Sequence, residues 1–117
     1  MDAFGRHLRK TREKLRQQDR TYSLRQVAER VGVEPSYLSK VERGEVAPPS
    51  EGTILRLAQD LGQDGDTLLA LAGKVSSELQ DVIRKRPEVF AKVIRELRNV
   101  PDHAVLEVVR VVRDGVW

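Results

Sequence analysis

The segment from Ser23 to Gly44 restricts the fold more than any other part of the chain, because its pattern predicts two short amphipathic helices separated by a tight turn. Apolar residues recur at helical spacing in both halves: Leu24, Val27, Ala28 and Val31, then Leu38 and Val41. Ser23 is a typical N-cap, Gly32 suits the left-handed residue that ends a helix, and Pro35 is tolerated in a first helical turn. The sequence therefore predicts one helix that ends before Gly32 and a second that spans Pro35 to Arg43.

The second of these helices has a polar outer face. Successive residues of an α-helix are rotated by about 100°, so when the apolar residues face inward the opposite side carries Ser36, Lys40 and Arg43. Tyr37 and Ser39 lie beside them. Their hydroxyl groups and cations can hydrogen-bond to base edges and phosphates, and an α-helix fits the major groove of B-DNA. A polar helix face is usually just solvated, and that interpretation would be favoured for either helix alone. The two helices together favour DNA binding.

This pattern resembles the helix-turn-helix of the phage-repressor and Cro-like regulators, often called the Xre family. The resemblance rests on Val27-Ala28, Gly32-Val33 and the run from Tyr37 to Gly44, with Pro48 shortly after, and it spans roughly residues 4–73. It implies that Ala28 is the small residue where the two helices cross. It also implies that the helix near residues 35–43 is the recognition helix.

The resemblance also implies a set of DNA contacts. Many members of the family carry a Gln just after the N-cap of the first motif helix, where it touches a phosphate. This chain has Leu24 there, so Arg25 or Gln26 is the candidate for that contact. The predicted DNA-binding residues are Arg25, Gln26, Pro35, Ser36, Tyr37, Ser39, Lys40 and Arg43. Among them, Ser36, Tyr37, Ser39 and Lys40 are expected to select the sequence, whereas Arg25 and Arg43 hold phosphates.

A first helix is predicted over residues 3 to about 17, where apolar residues again recur at helical spacing. Arg12 lies near the edge of its inward stripe, and Glu42 lies near the corresponding edge of the recognition helix. Two separately solvated charges are the usual state of surface Arg and Glu. The family often places an Arg and a Glu at these matching positions, and the resemblance therefore implies a structural pair. Residues 17–22 are predicted either to lengthen the first helix or to form a mobile basic loop near the DNA backbone.

The positive charge is concentrated on the part of the chain that contains these helices. Residues 1–43 hold 11 Lys and Arg against 6 Asp and Glu, residues 44–74 hold 2 against 5, and residues 75–117 hold 8 against 7. This distribution suits a polyanionic partner. It favours nucleic acid over a membrane surface, because the recognition helix lacks the wide apolar face of an interfacial helix.

Two more helices are predicted after the recognition helix. One precedes Gly62 and has N-cap candidates in Ser50 and Thr53, and the other is capped by Asp64 or Asp66 and ends near Gly73. The fold class is therefore all-α: a five-helix repressor-like DNA-binding domain over residues 1–74, followed by a C-terminal helical dimerisation segment over residues 75–117.

The C-terminal segment is predicted to contain amphipathic helices, two of which begin at Pro87 and near Pro101. The β-branched content of the last one leaves a strand as the alternative. A buried C-terminal helix in a monomer is the simpler interpretation of its apolar face, but the width of that face favours an interface. The predicted dimerisation residues are Phe90, Val93, Ile94, Leu97, Val105, Val108, Val109 and Val112.

Catalytic and metal-binding patterns are not found in the sequence. His7 and His103 are far apart and expected to be solvated, and there is no Gly-rich phosphate loop, HExxH motif or nucleophile elbow. The chain has no Cys, so it offers neither a disulfide nor a thiolate metal site. We therefore expect no enzyme activity, metal or cofactor. No signal peptide or membrane-spanning run is apparent, and a cytoplasmic protein without a membrane partner is expected.

Taken together, the sequence predicts a transcriptional regulator that binds double-stranded DNA sequence-specifically. We expect a repressor that binds a pseudo-palindromic operator as a homodimer. The alternative is an antitoxin-like or protein-interaction module, whose C-terminal segment binds a regulatory partner protein. Such tails are often disordered alone, whereas the capped helices predicted for residues 75–117 favour an ordered oligomer.

Overall fold

The computed structural model describes residues 3–115 and Trp117, and all regular secondary structure in that part of the chain is helical. The α-helices are α1 (Ala3–Arg16), α2 (Leu24–Val31), α3 (Pro35–Glu42), α4 (Glu51–Leu61), α5 (Gly65–Leu71), α6 (Ser77–Lys85), α7 (Pro87–Leu97) and α8 (Asp102–Asp114). A short 3₁₀-helix, Arg20–Tyr22, lies between α1 and α2. The chain divides into two units at the boundary between Ser76 and Ser77. The all-α fold class predicted from the sequence is confirmed.

The first unit has a mostly aliphatic core to which α1 to α5 all contribute. Its buried residues are Phe4, Leu8, Val27, Ala28, Val31, Leu38, Val41, Ile54, Leu57, Ala58, Leu61, Leu68 and Leu69. In each of α1 to α4 they include residues three or four apart, and α5 contributes the adjacent pair Leu68 and Leu69, so each helix turns one side inward. The polar faces are thereby left on the surface.

The turn between α2 and α3 forms as its residues predict. The Ser23 hydroxyl accepts a hydrogen bond from the backbone N–H of Gln26 at 3.3 Å, which caps α2. Gly32 then adopts φ 78°, a conformation that costs a residue without Cβ little. Pro35 occupies the first turn of α3, and α3 ends at Glu42 with Arg43 as its C-cap. The short connection therefore fixes the direction of α3 relative to α2.

Residues 17–22 do not lengthen the first helix: α1 stops at Arg16, and Arg20–Tyr22 of the following segment forms the 3₁₀-helix. That this segment lies near the DNA backbone as a mobile basic loop stays a prediction. The Asp19 carboxylate caps that helix by accepting from the backbone N–H and the hydroxyl of Thr21, at 2.9 and 2.7 Å. These hydrogen bonds, first that from the hydroxyl, lower the pKa of Asp19. Local side-chain capping, which has no helical periodicity, decides the structure of this segment.

Two smaller expectations are also resolved. Asp64 rather than Asp66 caps α5, and hydrogen bonds from the backbone N–H and the hydroxyl of Thr67 lower its pKa. His7 was expected to be solvated, but it is partly buried and its Nε2 lies 2.9 Å from Oε1 of Gln63. That contact ties α1 to the turn between α4 and α5.

The second unit consists of α6, α7 and α8. In α8, residues 105, 108, 109 and 112 are all Val, and they recur at helical spacing. This spacing outweighs the weak strand preference of β-branched residues, so the strand alternative was wrong. None of the described residues from Ser77 onward is buried. Six of the eight predicted dimerisation residues are exposed, from 38% of Phe90 to 62% of Val112, and the other two, Leu97 and Val105, are partly buried.

Candidate nucleic-acid interface

The inner side of helix α3 packs against the core. Leu38 and Val41 are almost completely buried, and Gly5 of α1 lies directly against the end of the helix. A Cβ atom on Gly5 would lie only 2.3 Å from the carbonyl oxygen of Val41. The two helices therefore approach each other as closely as their backbones allow, and α3 has little freedom to shift.

The opposite side of α3 presents the residues predicted from the sequence. Ser36, Lys40 and Arg43 are exposed, as the helical rotation requires. Tyr37 and Ser39 are partly buried, and the Tyr37 side chain packs against the core. Part of the Tyr37 side chain is therefore covered by the core.

The remaining predicted contacts lie at the starts of the two motif helices. Arg25 and Gln26 are exposed in the first turn of α2, and Pro35 is partly buried at the start of α3. Leu24, which stands where many members of the family have a phosphate-binding Gln, packs against the core instead. Arg25 and Gln26 are therefore the accessible side chains at this helix end.

A small cavity of about 160 Å³ brings part of this surface together with α1. Its lining residues are Arg9, Arg12, Glu13, Leu24, Ser39, Glu42 and Arg43. Arg9 was not singled out from the sequence, although it precedes Arg12 by one helical turn and so falls on the same edge of α1. Its exposed cation extends the basic surface from α3 onto α1.

Arg12 and Glu42 join α1 to α3. Arg12 Nε donates to Glu42 Oε2 at 2.7 Å and Nη2 donates to Oε1 at 3.0 Å, while only 5% and 4% of the two side chains are exposed. The hydrogen bonding to Glu42 raises the pKa of Arg12, although its burial acts in the opposite direction. Arg12 Nη1 also donates to the carbonyl oxygen of Tyr22 at 3.2 Å. One buried guanidinium therefore holds α1, α3 and the 3₁₀-helix together.

Arg43 and Ser39 contact each other at the exposed end of α3. Arg43 Nη1 donates to the hydroxyl of Ser39, and Arg43 Nε donates to Glu45 Oε2 at 2.6 Å. Two predicted DNA contacts are thus engaged in intramolecular hydrogen bonds. The sequence did not indicate this cluster.

Hydrogen bonds join helix α2 to helix α4. Arg30 donates from Nε and Nη2 to the carboxylate of Asp60, at 2.6 and 3.0 Å, and this hydrogen bonding raises the pKa of Arg30. The guanidinium of Arg30 also lies 5.1 Å from the centroid of the Tyr22 ring. Arg56 Nε donates to the carbonyl oxygen of Val31 at 3.0 Å, at the end of α2. These contacts fix the helix against which α3 is oriented.

In the described part of the chain, none of the helices is long and apolar enough to cross a membrane.

Comparison with known proteins agrees with this architecture. A family described as a helix-turn-helix domain matches residues 3–71, which is more than half of the chain. Among solved structures, the chain is similar to a SinR protein/SinI protein complex, with 23% sequence identity, 94% of each chain covered and a TM-score of 0.50. No curated protein matches the chain. The structural likeness supports the fold, and the resemblance inferred from the sequence is confirmed.

Proposed function

Because the chain belongs to the helix-turn-helix domain family, we propose that it is a transcriptional regulator that binds double-stranded DNA sequence-specifically. The observation that carries this proposal is α3, whose inner side is buried in the core and whose outer side exposes Ser36, Lys40 and Arg43. An α-helix with hydroxyls and cations on its free side matches the width and the hydrogen-bonding groups of the major groove. We place α3 in that groove.

The contacts divide by chemistry. Lys40 is suited to guanine acceptors, and Ser36, Tyr37 and Ser39 offer hydroxyl groups to base edges. Arg43, at the end of α3, and Arg25, at the start of α2, are placed on phosphates, with Gln26 beside Arg25. Arg9 joins the phosphate contacts because it shares a cavity with Arg43.

Two alanine substitutions test this assignment. Lys40→Ala should weaken binding to the preferred site by about 1 to 3 kcal/mol and weaken binding to random DNA much less, since a base contact is lost. Arg43→Ala should weaken binding to both and lower the slope of log K against log salt by about 1, since a phosphate contact is lost. Fluorescence anisotropy at several salt concentrations measures both quantities. Equal losses on specific and random DNA for both variants would contradict the assignment.

We propose that the regulator acts as a homodimer. The apolar residues of α7 and α8 are exposed or only partly buried within their own unit, and no described residue there is buried. The same faces of a second copy would cover them, and two-fold pairing is the commonest arrangement of soluble oligomers. One recognition helix reads only a few base pairs, whereas two helices in a dimer read the two halves of a pseudo-palindromic operator.

Repression is the simplest outcome of such binding. A dimer on a promoter site excludes polymerase by occupancy alone, whereas activation needs an additional surface that recruits polymerase. We therefore propose a repressor.

An antitoxin-like or protein-interaction module remains the second candidate. It is favoured by the same exposed apolar faces, which a different protein could cover, and the similar solved structure is one of a SinR protein with a SinI protein. Light scattering of the purified full chain separates the candidates: a dimer mass at micromolar concentration supports the homodimer, and a monomer mass supports the partner-binding alternative.

A further inference from the structure

We propose that Glu45 competes with a DNA phosphate for Arg43 and thereby sets the affinity of DNA binding without itself contacting DNA. This inference rests on the proposed function and adds a further affinity-determining residue to it. Its basis is the ion pair from Arg43 Nε to Glu45 Oε2 at 2.6 Å, in which about half of each side chain is exposed, 49% and 53%.

The backbone holds Glu45 in place for this contact. Gly44 adopts φ 71° after the C-cap of α3, and the backbone N–H of Glu45 then donates to the carbonyl oxygen of Lys40 at 2.9 Å. The backbone N–H of Gly44 donates to the carbonyl oxygen of Val41 at 3.1 Å. These two hydrogen bonds are those of a Schellman motif, so Glu45 is anchored to the last turn of the helix that carries Arg43.

A carboxylate and a phosphate offer the same kind of acceptor. Both present anionic oxygens to the planar donors of a guanidinium, and charge-assisted bonds to either are short. The Glu45 carboxylate therefore occupies the Nε donor of Arg43. A phosphate that binds Arg43 through Nε must displace Glu45.

Glu42, the nearest other carboxylate along α3, cannot take over this role. Both of its oxygens accept from Arg12 inside the protein, at 2.7 and 3.0 Å. Glu45 is therefore the carboxylate that holds Arg43 in the described part of the chain, and Ser39 supplies the second contact of its guanidinium.

The size of the effect follows from the exposure of the pair. Exposed ion pairs are weak, and releasing Arg43 from Glu45 should tighten DNA binding about 1.5- to 5-fold. The gain should be the same on a selected site and on random DNA, because a phosphate contact carries no sequence information. The slope of log K against log salt should stay unchanged, since the number of neutralised phosphates is the same.

The experiment is a double-mutant cycle measured by fluorescence anisotropy on a selected duplex and on a random duplex. Glu45→Gln in the otherwise unaltered full chain should tighten binding to both, and the same substitution in an Arg43→Ala background should tighten it less, because no Arg43 guanidinium is left to release. The matched control is Glu34→Gln, which removes an exposed carboxylate at the N-cap position of α3 that makes no capping hydrogen bond. This control should show less tightening than Glu45→Gln, because Glu34 is not bound to Arg43.

Three results would overturn the proposal. They are an unchanged DNA affinity in Glu45→Gln, equal tightening by Glu45→Gln without Arg43, and equal tightening by Glu34→Gln. The last two outcomes would indicate a general electrostatic field. If the unaltered chain binds no duplex at all, the proposed function fails and this inference fails with it. NMR of the Arg43 Nε–H provides a check without DNA: its signal should shift on Glu45→Gln, and an unchanged signal would show that the pair does not form in solution.

Discussion

At the scale of single residues, the buried pair of Arg12 and Glu42 joins α3 to α1. Replacing either residue by Ala leaves the other charge buried without its partner, and we expect a loss of about 3 to 5 kcal/mol in the free energy of unfolding. The exposed pair of Arg84 and Asp81, in which 67% of each side chain is accessible, is the control and should contribute about 0 to 1 kcal/mol. Urea denaturation of a double-mutant cycle measures both couplings. A coupling near zero for Arg12 and Glu42 would contradict this account.

The sequence predicted the contact between Arg12 and Glu42 but missed contacts that lie outside the helices. Helical rotation placed Arg12 and Glu42 at the edges of two inward stripes, and the family resemblance implied that they meet. The contacts of Arg12 with the Tyr22 carbonyl and of Arg43 with Glu45 lie where the chain leaves a helix. Helical periodicity carries no information there, because the course of the turn and the side-chain rotamer decide the contact.

At the scale of elements, the packing of α1 on α3 requires Gly5. In Gly5→Ala the new Cβ would lie 2.3 and 2.8 Å from the carbonyl oxygens of Val41 and Glu42, which are backbone atoms that cannot rotate away. We expect the free energy of unfolding to fall by about 1 to 3 kcal/mol, as for other overpacked sites, although Ala is the better helix former.

Gly52→Ala is the matched control for this substitution. Gly52 lies in α4, and the nearest atom to its added Cβ would be Arg56 Nη1 at 3.5 Å, an ordinary contact. There the helix propensity should dominate and stability should rise by up to about 1 kcal/mol. Urea denaturation compares the two variants, and equal stability changes would show that the close approach of α1 and α3 is not required.

The helices themselves were largely predictable. Their bounds follow from apolar spacing and from N-cap, Pro and Gly signals, as at Ser23, Gly32 and Pro87. Residues 17–22 were not predictable in the same way, since the 3₁₀-helix is decided by the Asp19 side chain and by a donor from α1. Gly5 was also missed, because a requirement for close approach becomes visible only when the partner helix is in place.

At the scale of the whole molecule, the chain combines a unit with a buried apolar core and a unit without a buried residue in its described part. Apolar patterning and charge distribution indicated two parts, but a pattern alone cannot show whether an apolar face is covered. Truncation after Ser76 should leave a folded five-helix monomer that binds DNA weakly and without half-site cooperativity.

Light scattering at micromolar concentration tests this dimer prediction. The full chain should have a dimer mass, and both the truncated chain and the full-length Val108→Asp variant should have a monomer mass. Val108 is 50% exposed in the single chain, so a charge there is tolerated by the monomer and opposes only the covering of that face. A truncated chain that stays dimeric would place the dimer contact in the first unit instead.

The central claim is that α3 reads bases and that a dimer presents two copies of α3 to the DNA. Selection of bound sequences from a pool of random duplex DNA tests this claim most directly. The account predicts enrichment of an inverted repeat whose half-site centres lie about 34 to 36 Å apart or at a multiple of that distance. In Lys40→Ala the preference should relax at particular positions of each half-site. Recovery of no enriched sequence would contradict the account and favour the protein-interaction alternative.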